Sequence, residues 1–518
     1  MTSTENSLHV KPGHTFADAF ERARKVAPEA FGADRLNNLW AGQWRTEGTS
    51  HAAVSPVDGS AIVGPPMLDA AMASAAMEAT VAEHDTWRRV PLAERQARVR
   101  RALERLDEHR DLLTLLLVWE IGKPWGQAAT GVDRTISGVE WYCDEVEVML
   151  TGRRPLPGPV SNIASWNYPL SVLVHAMLIQ ALAGNAVIAK SPTDGGVNAL
   201  TLAVALAAAE GLPLTLVSGS GSDLSPVLVN SPEIGCVSFV GGRDTGGQIA
   251  SQLANTNRPH ILEQEGLNTW GIWEFSDWDS LAGQIRSGFA YGKQRCTAYP
   301  RYVVQRSLFD QFLAMYLPVL ADLRFGHPLA VAADDDAPPT LDFGPLINAA
   351  KIADLESKIA ATIDHGAVPL YRGSLDDGAF VDGQDRSAYL APMAMYDPPR
   401  SSPLHHAEPF GPVDTVIVVD TEADLLAAMN ASNGALVSSV ACDDPEVAQR
   451  LASQVQAFKV GINKTRSRGD KAEPFGGRGA SWRGAFVGGE LLVHAVTEGP
   501  ADERRFGNFP DYRLEPQT

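Results

Sequence analysis

Cysteine is scarce in this chain of 518 residues. The four cysteines stand far apart, with no paired spacing: Cys143, Cys236, Cys296 and Cys442. This pattern argues against a disulfide framework and against a cysteine-rich zinc site, and it favours a reducing compartment. The neighbouring histidines His405 and His406 lack further metal ligands, so we expect no metal site there.

Positive charge is also in short supply. The chain has 43 Lys and Arg residues against 62 Asp and Glu residues, which gives a formal net charge of −19. An acidic protein is repelled by phosphate backbones and by anionic lipid surfaces. The charge therefore argues against nucleic acid and against a membrane surface as partners.

Long apolar runs are missing as well. Residues 1–12 are polar and lack the apolar core of a signal peptide. The longest apolar stretch, residues 202–209, is too short to cross a bilayer and predicts a buried helix. With 45% apolar and 20% charged residues, the chain is typical of a globular cytoplasmic protein of more than one domain.

Short apolar runs alternate with helical stretches in the middle of the chain. Strands are predicted at 160–164, 185–189, 214–217, 236–240 and 260–263, with helices near 170–182, 197–210 and 246–253. This alternation is typical of right-handed parallel crossovers, so we predict an α/β fold with a doubly wound parallel sheet. A second α/β block begins near Trp270 and carries Cys296.

The two ends of the chain have other patterns. Residues 68–118 predict two long amphipathic helices broken near Val90-Pro91, and Gly122 marks the end of the second. Residues 491–496 and 508–514 predict isolated terminal strands. Because a lone strand has unpaired edges, these segments indicate an oligomerisation element.

Cys296 is a candidate nucleophile, because it lies among small and polar residues and only an accessible thiolate attacks carbon. Taken alone, a cysteine is more often a packed core residue. Further motifs stand at separate points of the chain: Trp166-Asn167-Tyr168-Pro169, Lys190, Gly241-Gly242 with Gly246, Glu263-Gln264-Glu265-Gly266, Glu408-Pro409-Phe410 and Pro474-Phe475-Gly476-Gly477.

In this order the motifs resemble the aldehyde dehydrogenase superfamily, over nearly the whole chain. The resemblance implies a cofactor-binding domain at 1–138 and 156–265 and a catalytic domain at 266–485. It also implies a small β oligomerisation element from 139–155 and 486–518, and a homodimer or homotetramer.

The resemblance assigns the chemistry to a few side chains. Cys296 would attack an aldehyde carbon, and the amide of Asn167 with the backbone N–H of Cys296 would stabilise the oxyanion. Loss of hydride to a nicotinamide ring would then leave an acyl-thioester on the cysteine. The family's general base for hydrolysis matches Glu263, which precedes Cys296 by 296 − 263 = 33 residues.

Residues 264 and 265 depart from the family pattern, because Gln264 and Glu265 replace an apolar residue and a glycine. Residues 263 and 265 share one face of a strand, so two carboxylates are expected to converge on the pocket. Close like charges would raise one pKa and so favour a base. We predict Glu263 as the base, with Glu265 as second choice; alternatively, Glu265 crowds the nicotinamide site.

The cofactor contacts also follow from the resemblance. They comprise a ribose-binding carboxylate, two aromatic residues, a phosphate-side glycine turn and a residue pair near the adenosine ribose: Glu408, Phe410, Trp166, Gly241, Gly242, Gly246, Lys190 and Thr193. Members that prefer NAD carry a carboxylate three residues after the lysine, where this chain has Thr193. We therefore predict NADP over NAD, although the neighbouring Asp194 leaves NAD as the alternative.

Three functions remain open on this basis. The first is oxidation of an aldehyde to a carboxylic acid. The second transfers the same acyl group to coenzyme A or runs in reverse as an acyl-thioester reductase, and the third is a catalytically silent relative with a binding role. Leu170, Leu173 and Met177, with Tyr168 and Tyr299 nearby, indicate a hydrophobic or aromatic aldehyde, while His175 is predicted to be a core residue.

Overall fold

The protein is described here from a computed structural model, which covers residues 7–49, 51–254, 256–432 and 434–509. Within these ranges the strands are β1 (His9–Val10), β2 (Asn38–Trp40), β3 (Gln43–Arg45), β4 (Ala52–Val54), β5 (Ala61–Val63), β6 (Arg154–Pro155), β7 (Val160–Ala164), β8 (Val187–Lys190), β9 (Leu214–Val217), β10 (Cys236–Val240), β11 (His260–Glu263), β12 (Thr269–Ile272), β13 (Arg301–Gln305), β14 (Ala330–Val331), β15 (Val368–Arg372), β16 (Met393–Tyr396), β17 (Val413–Val419), β18 (Ala435–Ala441), β19 (Ala457–Ile462), β20 (Trp482–Ala485), β21 (Thr497–Glu498) and β22 (Gly507–Asn508).

The α-helices of the same ranges are α1 (Phe16–Val26), α2 (Ala70–Trp87), α3 (Leu92–Glu108), α4 (Arg110–Ile121), α5 (Trp125–Met149), α6 (His175–Leu182), α7 (Val197–Ala209), α8 (Gly221–Leu228), α9 (Arg243–Leu253), α10 (Trp278–Gly288), α11 (Phe309–Ala321), α12 (Ala349–Asp364), α13 (Pro403–His406), α14 (Glu422–Met429), α15 (Pro445–Ala452) and α16 (Glu490–Ala495). A π-helical turn at Pro169–Val174 leads into α6. Short 3₁₀ turns lie at Ala290–Lys293, Arg306–Leu308, Leu375–Asp377 and Gly479–Ser481.

The first large sheet has the strand order β22-β20-β11-β10-β7-β8-β9-β2-β3. Its five central strands, β11-β10-β7-β8-β9, are parallel, and the flanking pairs are antiparallel. The chain winds from β7 to β9 in one direction and then returns to β10 on the other side of β7. This reversal between β7 and β10 is a topological switch point, where open α/β sheets bind ligands beyond the carboxyl ends of their strands.

The second large sheet has the order β15-β16-β17-β13-β12-β18-β19 and is parallel except at the edge pair β15-β16. Helices cover both sheets; α7 between β8 and β9 is an apolar helix whose residues 197–207 are all buried. The expected α/β architecture with two parallel blocks is therefore confirmed. No helix of the described ranges has both the length and the apolar character needed to cross a membrane.

Two expectations about the ends of the chain were wrong. Residues 68–118 hold parts of three helices, because a further break falls at His109, where the backbone leaves the helical conformation. Residues 491–496 are mostly helical in α16, since their apolar side chains pack on α5 rather than along a sheet edge. Of the predicted strand 508–514, Asn508 lies in β22, and 510–514 lie outside the described residues.

Strand β20 brings the C-terminal part of the chain back to the first sheet. Trp482 is fully buried there, is paired in register with Glu263, and donates its indole N–H to the carbonyl of Ala485 at 3.0 Å. The edge of the sheet next to Glu263 is thus closed by a strand from the other end of the sequence.

Trp482→Ala is expected to lower the free energy of unfolding by about 3–5 kcal/mol, because it leaves a cavity in the core where an indole was buried. Denaturant unfolding measures this, with Trp482→Phe as the control that retains most of the ring volume. An alanine variant as stable as the phenylalanine variant would contradict the packing described for β20.

Candidate active site

The carboxyl ends of the strands at the switch point open into a cavity of about 620 Å³. Residues of both sheets line it, including Trp166 and Asn167 after β7, Gly241 after β10, and Glu263 at the end of β11. Cys296, in the loop before β13 of the second sheet, lines the same cavity. The fold therefore brings together residues that the sequence separates by more than a hundred positions.

The loop that carries Cys296 has an unusual backbone. Tyr291 and Lys293 adopt positive φ angles of 62° and 59°, a conformation that costs free energy for residues other than glycine. The buried ammonium of Lys293 forms an ion pair with Asp414 and donates to the carbonyl of Tyr299 at 3.0 Å. This ion pair anchors the strained loop to β17, so the cysteine follows a fixed turn.

The thiol of Cys296 donates a hydrogen bond to Oε1 of Glu263, with Sγ and oxygen 2.9 Å apart. Burial raises the pKa of this thiol well above its ordinary value, and the negative charges of Glu263 and Glu408 raise it further. The resting cysteine is therefore a protonated thiol in contact with a carboxylate. Such a carboxylate is placed to take the thiol proton when a substrate arrives.

Glu263 and Glu265 both line the cavity, as expected, but they bind different partners. Glu263 also accepts from Nη1 of Arg468 at 3.1 Å. Glu265 accepts from the backbone N–H of Arg243, the first residue of α9, at 2.9 Å. The reason is that β11 ends at Glu263, so the two-residue alternation of a strand does not continue to Glu265.

Asn167 is buried and its Nδ2 donates to the carbonyl of Gln294 at 3.0 Å. A side-chain amide has two N–H groups, so one remains for a ligand. The backbone carbonyl of Asn167 accepts from Nζ of Lys123 at 2.8 Å, and this ammonium lies 3.8 Å from the centre of the Tyr168 ring. Burial lowers the pKa of Lys123 to about 7. Lys123 thus supports the segment that carries Asn167.

Glu408 has an unsatisfied oxygen in the cavity wall. Its Oε2 accepts from the N–H of Gly266 at 3.3 Å, while the buried Oε1 has no partner among the described residues. Burial, together with the charge of Glu265, raises the pKa of Glu408 well above its ordinary value. Because a buried acceptor without a partner is costly, a ligand hydroxyl would stabilise it.

Two aromatic residues predicted to contact a cofactor are near Glu408. Phe410 and Trp166 both line the cavity, and their ring centres are 5.9 Å apart in an edge-to-face arrangement. Phe410 has a positive φ of 53°. These two rings give the cavity aromatic lining, and Glu408 lines the same cavity.

The glycine turn after β10 leads into α9 as expected. Gly241 and Gly242 line the cavity, and Gly242 is the N-cap residue. Gly246 is not among the lining residues; a Cβ at this position would lie 2.5 Å from Cγ of Gln264. Its role in the structure is therefore close packing against Gln264.

Lys190 and Thr193 lie in a second, smaller cavity with Ser218 and Gly219. Nζ of Lys190 is 3.3 Å from Oγ1 of Thr193, and burial lowers the pKa of the lysine while Asp194 partly opposes that effect. Asp194 itself lines the main cavity. The lysine–hydroxyl pair predicted next to the adenosine ribose is thus present.

The helical segment after Asn167 turns a different face to the cavity than expected. Leu170, Leu173 and Met177 are buried in the core, while Ser171 and His175 line the cavity. Tyr299 is also buried and is not a lining residue. The prediction was wrong for Leu170, Leu173, Met177 and Tyr299, because the apolar stripe of the helix packs on the core, but Tyr168 does line the cavity, as does the apolar Val172.

His175 was wrongly predicted to be a core residue. It lies against Tyr142, with ring centres 5.8 Å apart, and burial lowers its pKa to about 3, assisted by Arg468 and Lys471. It is therefore a neutral imidazole at physiological pH. Its polarity on an apolar helix was the signal in the sequence.

Sequence reasoning missed several cations. Arg134, Arg468 and Lys471 line the cavity, and Nζ of Lys123 donates to the backbone carbonyl of Asn167. The charged stretch 466–471 before Pro474-Phe475 was the visible signal for Arg468 and Lys471. Nothing in the sequence marks Lys123, since its position follows from the packing of α4 and α5.

Fold and site together define an α/β enzyme that places a thiol and a carboxylate at a dinucleotide-type crevice. The sequence model of the Aldehyde dehydrogenase family matches residues 44–498. The chain belongs to the aldehyde dehydrogenase family and is accordingly an oxidoreductase.

Similar proteins cover almost the whole chain. Glutarate-semialdehyde dehydrogenase of Pseudomonas putida is 26% identical over 462 residues, which is 86% of this chain and 92% of that protein. NADP-dependent glyceraldehyde-3-phosphate dehydrogenase of Pisum sativum is 27% identical over 483 residues, which is 88% and 92% of the two chains. The crystal structure of NADP-dependent glyceraldehyde-3-phosphate dehydrogenase from Bacillus halodurans C-125, complexed with NADP, has a TM-score of 0.80 and 27% identity over 90% of this chain and 98% of that chain.

The thiol–carboxylate contact has a direct consequence for alkylation of Cys296. Because the charge of Glu263 raises the pKa of the thiol, Glu263→Gln is expected to lower that pKa and to speed alkylation by iodoacetamide near pH 8. Rates measured from pH 6 to 10, with peptide mapping of Cys296, test this. Slower alkylation in the glutamine variant would mean that the carboxylate promotes thiolate formation at rest.

Proposed function

We propose that this enzyme oxidises an aldehyde to the carboxylic acid with NADP, through a thioester on Cys296. The contact of 2.9 Å between the thiol and Glu263, inside a cavity shared with Asn167 and Glu408, carries the proposal. The thiol of Cys296 is in contact with the carboxylate that takes its proton. The amide of Asn167, which lines the same cavity, can donate to the developing negative charge on the substrate oxygen.

In the first step Glu263 takes the proton of the thiol, and the sulfur attacks the carbonyl carbon of the aldehyde. The carbonyl π electrons move to the oxygen, and the second N–H of the Asn167 amide and the backbone N–H of Cys296 donate to it. One such donor contributes about 3–4 kcal/mol to lowering the barrier.

The residues present fit a nicotinamide dinucleotide. The unpartnered Oε1 of Glu408 would accept from ribose hydroxyls, Gly241 and Gly242 would approach the phosphates, and Trp166 with Phe410 would flank the ring. Lys190 and Thr193 would bind a 2′-phosphate, which supports NADP, as do the names of the NADP-dependent relatives. When bound, this group supplies a hydride acceptor.

Loss of hydride from the tetrahedral carbon leaves an acyl-thioester on Cys296. We assign its hydrolysis to Glu263, which, once its proton has passed to solvent, accepts a proton from the attacking water. The C–S bond then breaks, and the acid leaves. Glu265 is the second choice as base, although its carboxylate caps the N–H of Arg243 instead of facing the thiol.

The cavity lining favours a polar aldehyde that carries a negative charge. Arg134 and Lys471 belong to it, together with Ser171 and His175. Two of the matched relatives are named for glutarate semialdehyde and glyceraldehyde 3-phosphate, which are both anionic aldehydes, whereas others are named for betaine aldehyde and vanillin. An anionic tail would replace water on these cations and orient the aldehyde group toward the thiol.

The oligomerisation element is proposed for residues 139–155 and 486–518. Three of the large apolar side chains exposed in the described residues lie in these segments: Val148 at 77%, Phe506 at 71% and Phe509 at 48% exposed. Large exposed apolar patches mark contact surfaces, and we propose that these three side chains contribute to one. A homodimer or homotetramer would cover them, with the cofactor-binding domain at 1–138 and 156–265 and the catalytic domain at 266–485.

Turnover tests the proposed activity. With NADP, anionic semialdehydes are expected to give at least about tenfold higher kcat/KM than hydrophobic aromatic aldehydes of similar size, a difference of about 1.4 kcal/mol. Cys296→Ala should abolish product formation while still binding cofactor. Formation of an acyl-CoA when coenzyme A is added would instead show thiol transfer, and a silent wild-type enzyme would contradict the proposal.

A substitution at Thr193 tests the proposed preference for NADP. Thr193→Glu places a carboxylate next to Lys190 and is expected to raise the KM for NADP by about tenfold or more, because it repels a 2′-phosphate. The KM for NAD should change little. Thr193→Val, which removes only the hydroxyl, is the control, and a wild-type preference for NAD would overturn this assignment.

A further inference from the structure

We infer that Arg468 is a positioning residue that orients Glu263 toward Cys296, so that nucleophile, base and orienting cation form a chain of three side chains. The inference rests on the proposed function, in which Glu263 is the base. It assigns a role to a residue outside the motifs that the sequence pattern singled out.

The geometry is that of a bridging carboxylate. Oε1 of Glu263 accepts from Sγ of Cys296 at 2.9 Å, and Oε2 accepts from Nη1 of Arg468 at 3.1 Å. The side chain of Glu263 is 3% exposed and that of Arg468 is 31% exposed. Because each oxygen has its own partner, the plane of the carboxylate is set from both sides. A base held by a third group is the general arrangement of activated nucleophiles.

Arg468 is itself held in place. Its guanidinium lies 5.3 Å from the centre of the Phe475 ring, and Phe475 is almost completely buried. Phe475 of the Pro474-Phe475 motif therefore supports the side chain of Arg468. The nearby Arg466 is bound elsewhere, to Glu473 at 2.6 Å, and Glu473 also binds Lys459. The two arginines of one loop therefore have separate partners.

Within this group of three side chains, Glu263 and Arg468 have opposite effects on the pKa of the thiol. Glu263 and Glu408 raise the pKa of the thiol, and Arg468 lowers it. Burial lowers the pKa of His175, and the charge of Arg468 lowers it further. Burial raises the pKa of the Tyr142 phenol, and Arg468 partly opposes that effect. Other ionisable groups in the wall of the same cavity are Arg134, Tyr168, Asp194, Glu265, Arg295, Lys351, Asp470, Lys471 and Glu473. Arg468 is thus the cation that offsets the base next to the nucleophile.

Arg468 also lines the cavity, so a contact with an anionic substrate is the competing role. Alkylation without substrate separates the two roles. We compare Arg468→Gln, Arg468→Lys and the control Arg466→Gln, which removes one charge from the same loop and leaves Glu473 bound to Lys459. The readouts are the pH profile of Cys296 alkylation by neutral iodoacetamide and by anionic iodoacetate.

Arg468→Gln is expected to raise the midpoint of the iodoacetamide profile by about one pH unit or more, the effect of removing an opposite charge at close range. Arg468→Lys should restore most of that shift, and Arg466→Gln should leave the midpoint unchanged. With an uncharged aldehyde, kcat of the Arg468→Gln enzyme should fall by about tenfold or more, with a smaller change in KM. Thermal unfolding identifies any variant that fails to fold. If Arg468→Gln fails to fold, the pH profile of Cys296 alkylation in Arg468→Lys tests the inference instead.

Three results would overturn the inference. They are an unchanged iodoacetamide midpoint in Arg468→Gln, an equal shift in Arg466→Gln, and an effect restricted to iodoacetate, which would make Arg468 an anion receptor only. The proposed function fails separately. If the wild-type enzyme oxidises no aldehyde although the alkylation profiles shift as expected, the three-residue chain stands and the assigned reaction does not.

Discussion

The contact between the thiol of Cys296 and the carboxylate of Glu263 is the constraint on which the rest of the site depends. Glu263 ends a strand of the first sheet, and Cys296 lies in a loop of the second. Their contact therefore depends on how the two sheets pack against each other. Trp482 on the neighbouring strand and the ion pair of Lys293 with Asp414 fix the two sides separately.

Three glutamates line the cavity, and each has different surroundings: Glu263, Glu265 and Glu408. Arg468 binds the first, the N–H at the start of α9 binds the second, and the third keeps an oxygen that has no partner in the part of the chain that the structure describes. Such differences allow neighbouring carboxylates to act as base, cap and ligand-binding group, because a pKa follows burial and partners rather than residue type.

Much of the fold was predictable from the sequence. Strands at 160–164, 214–217, 236–240 and 260–263 have the bounds expected, because short apolar runs between turn residues read clearly as buried parallel strands. The failures came where local pattern is ambiguous. The apolar pattern of residues 491–496 fits a strand as well as a helix, and only the packing of this segment on α5 decides between the two.

Part of the site was predictable, because several of its motifs lie at the carboxyl ends of predicted strands. The sequence could not show which face of the segment 169–182 meets the cavity, so the apolar residues were placed there and His175 in the core. It also could not reveal Lys123 or Arg468, since their partners Asn167 and Glu263 are distant in sequence. Long-range contacts of this kind leave no periodic signal in one sequence.

The amino-acid sequence by itself determined the order of strands and helices, the candidate nucleophile and the resemblance to a family, because these depend on local pattern and on residue type. Only the tertiary structure decided which carboxylate touches the thiol, which cation supports it and which side chains face the substrate. Those properties depend on distances of about 3 Å between atoms that the chain brings together from remote positions.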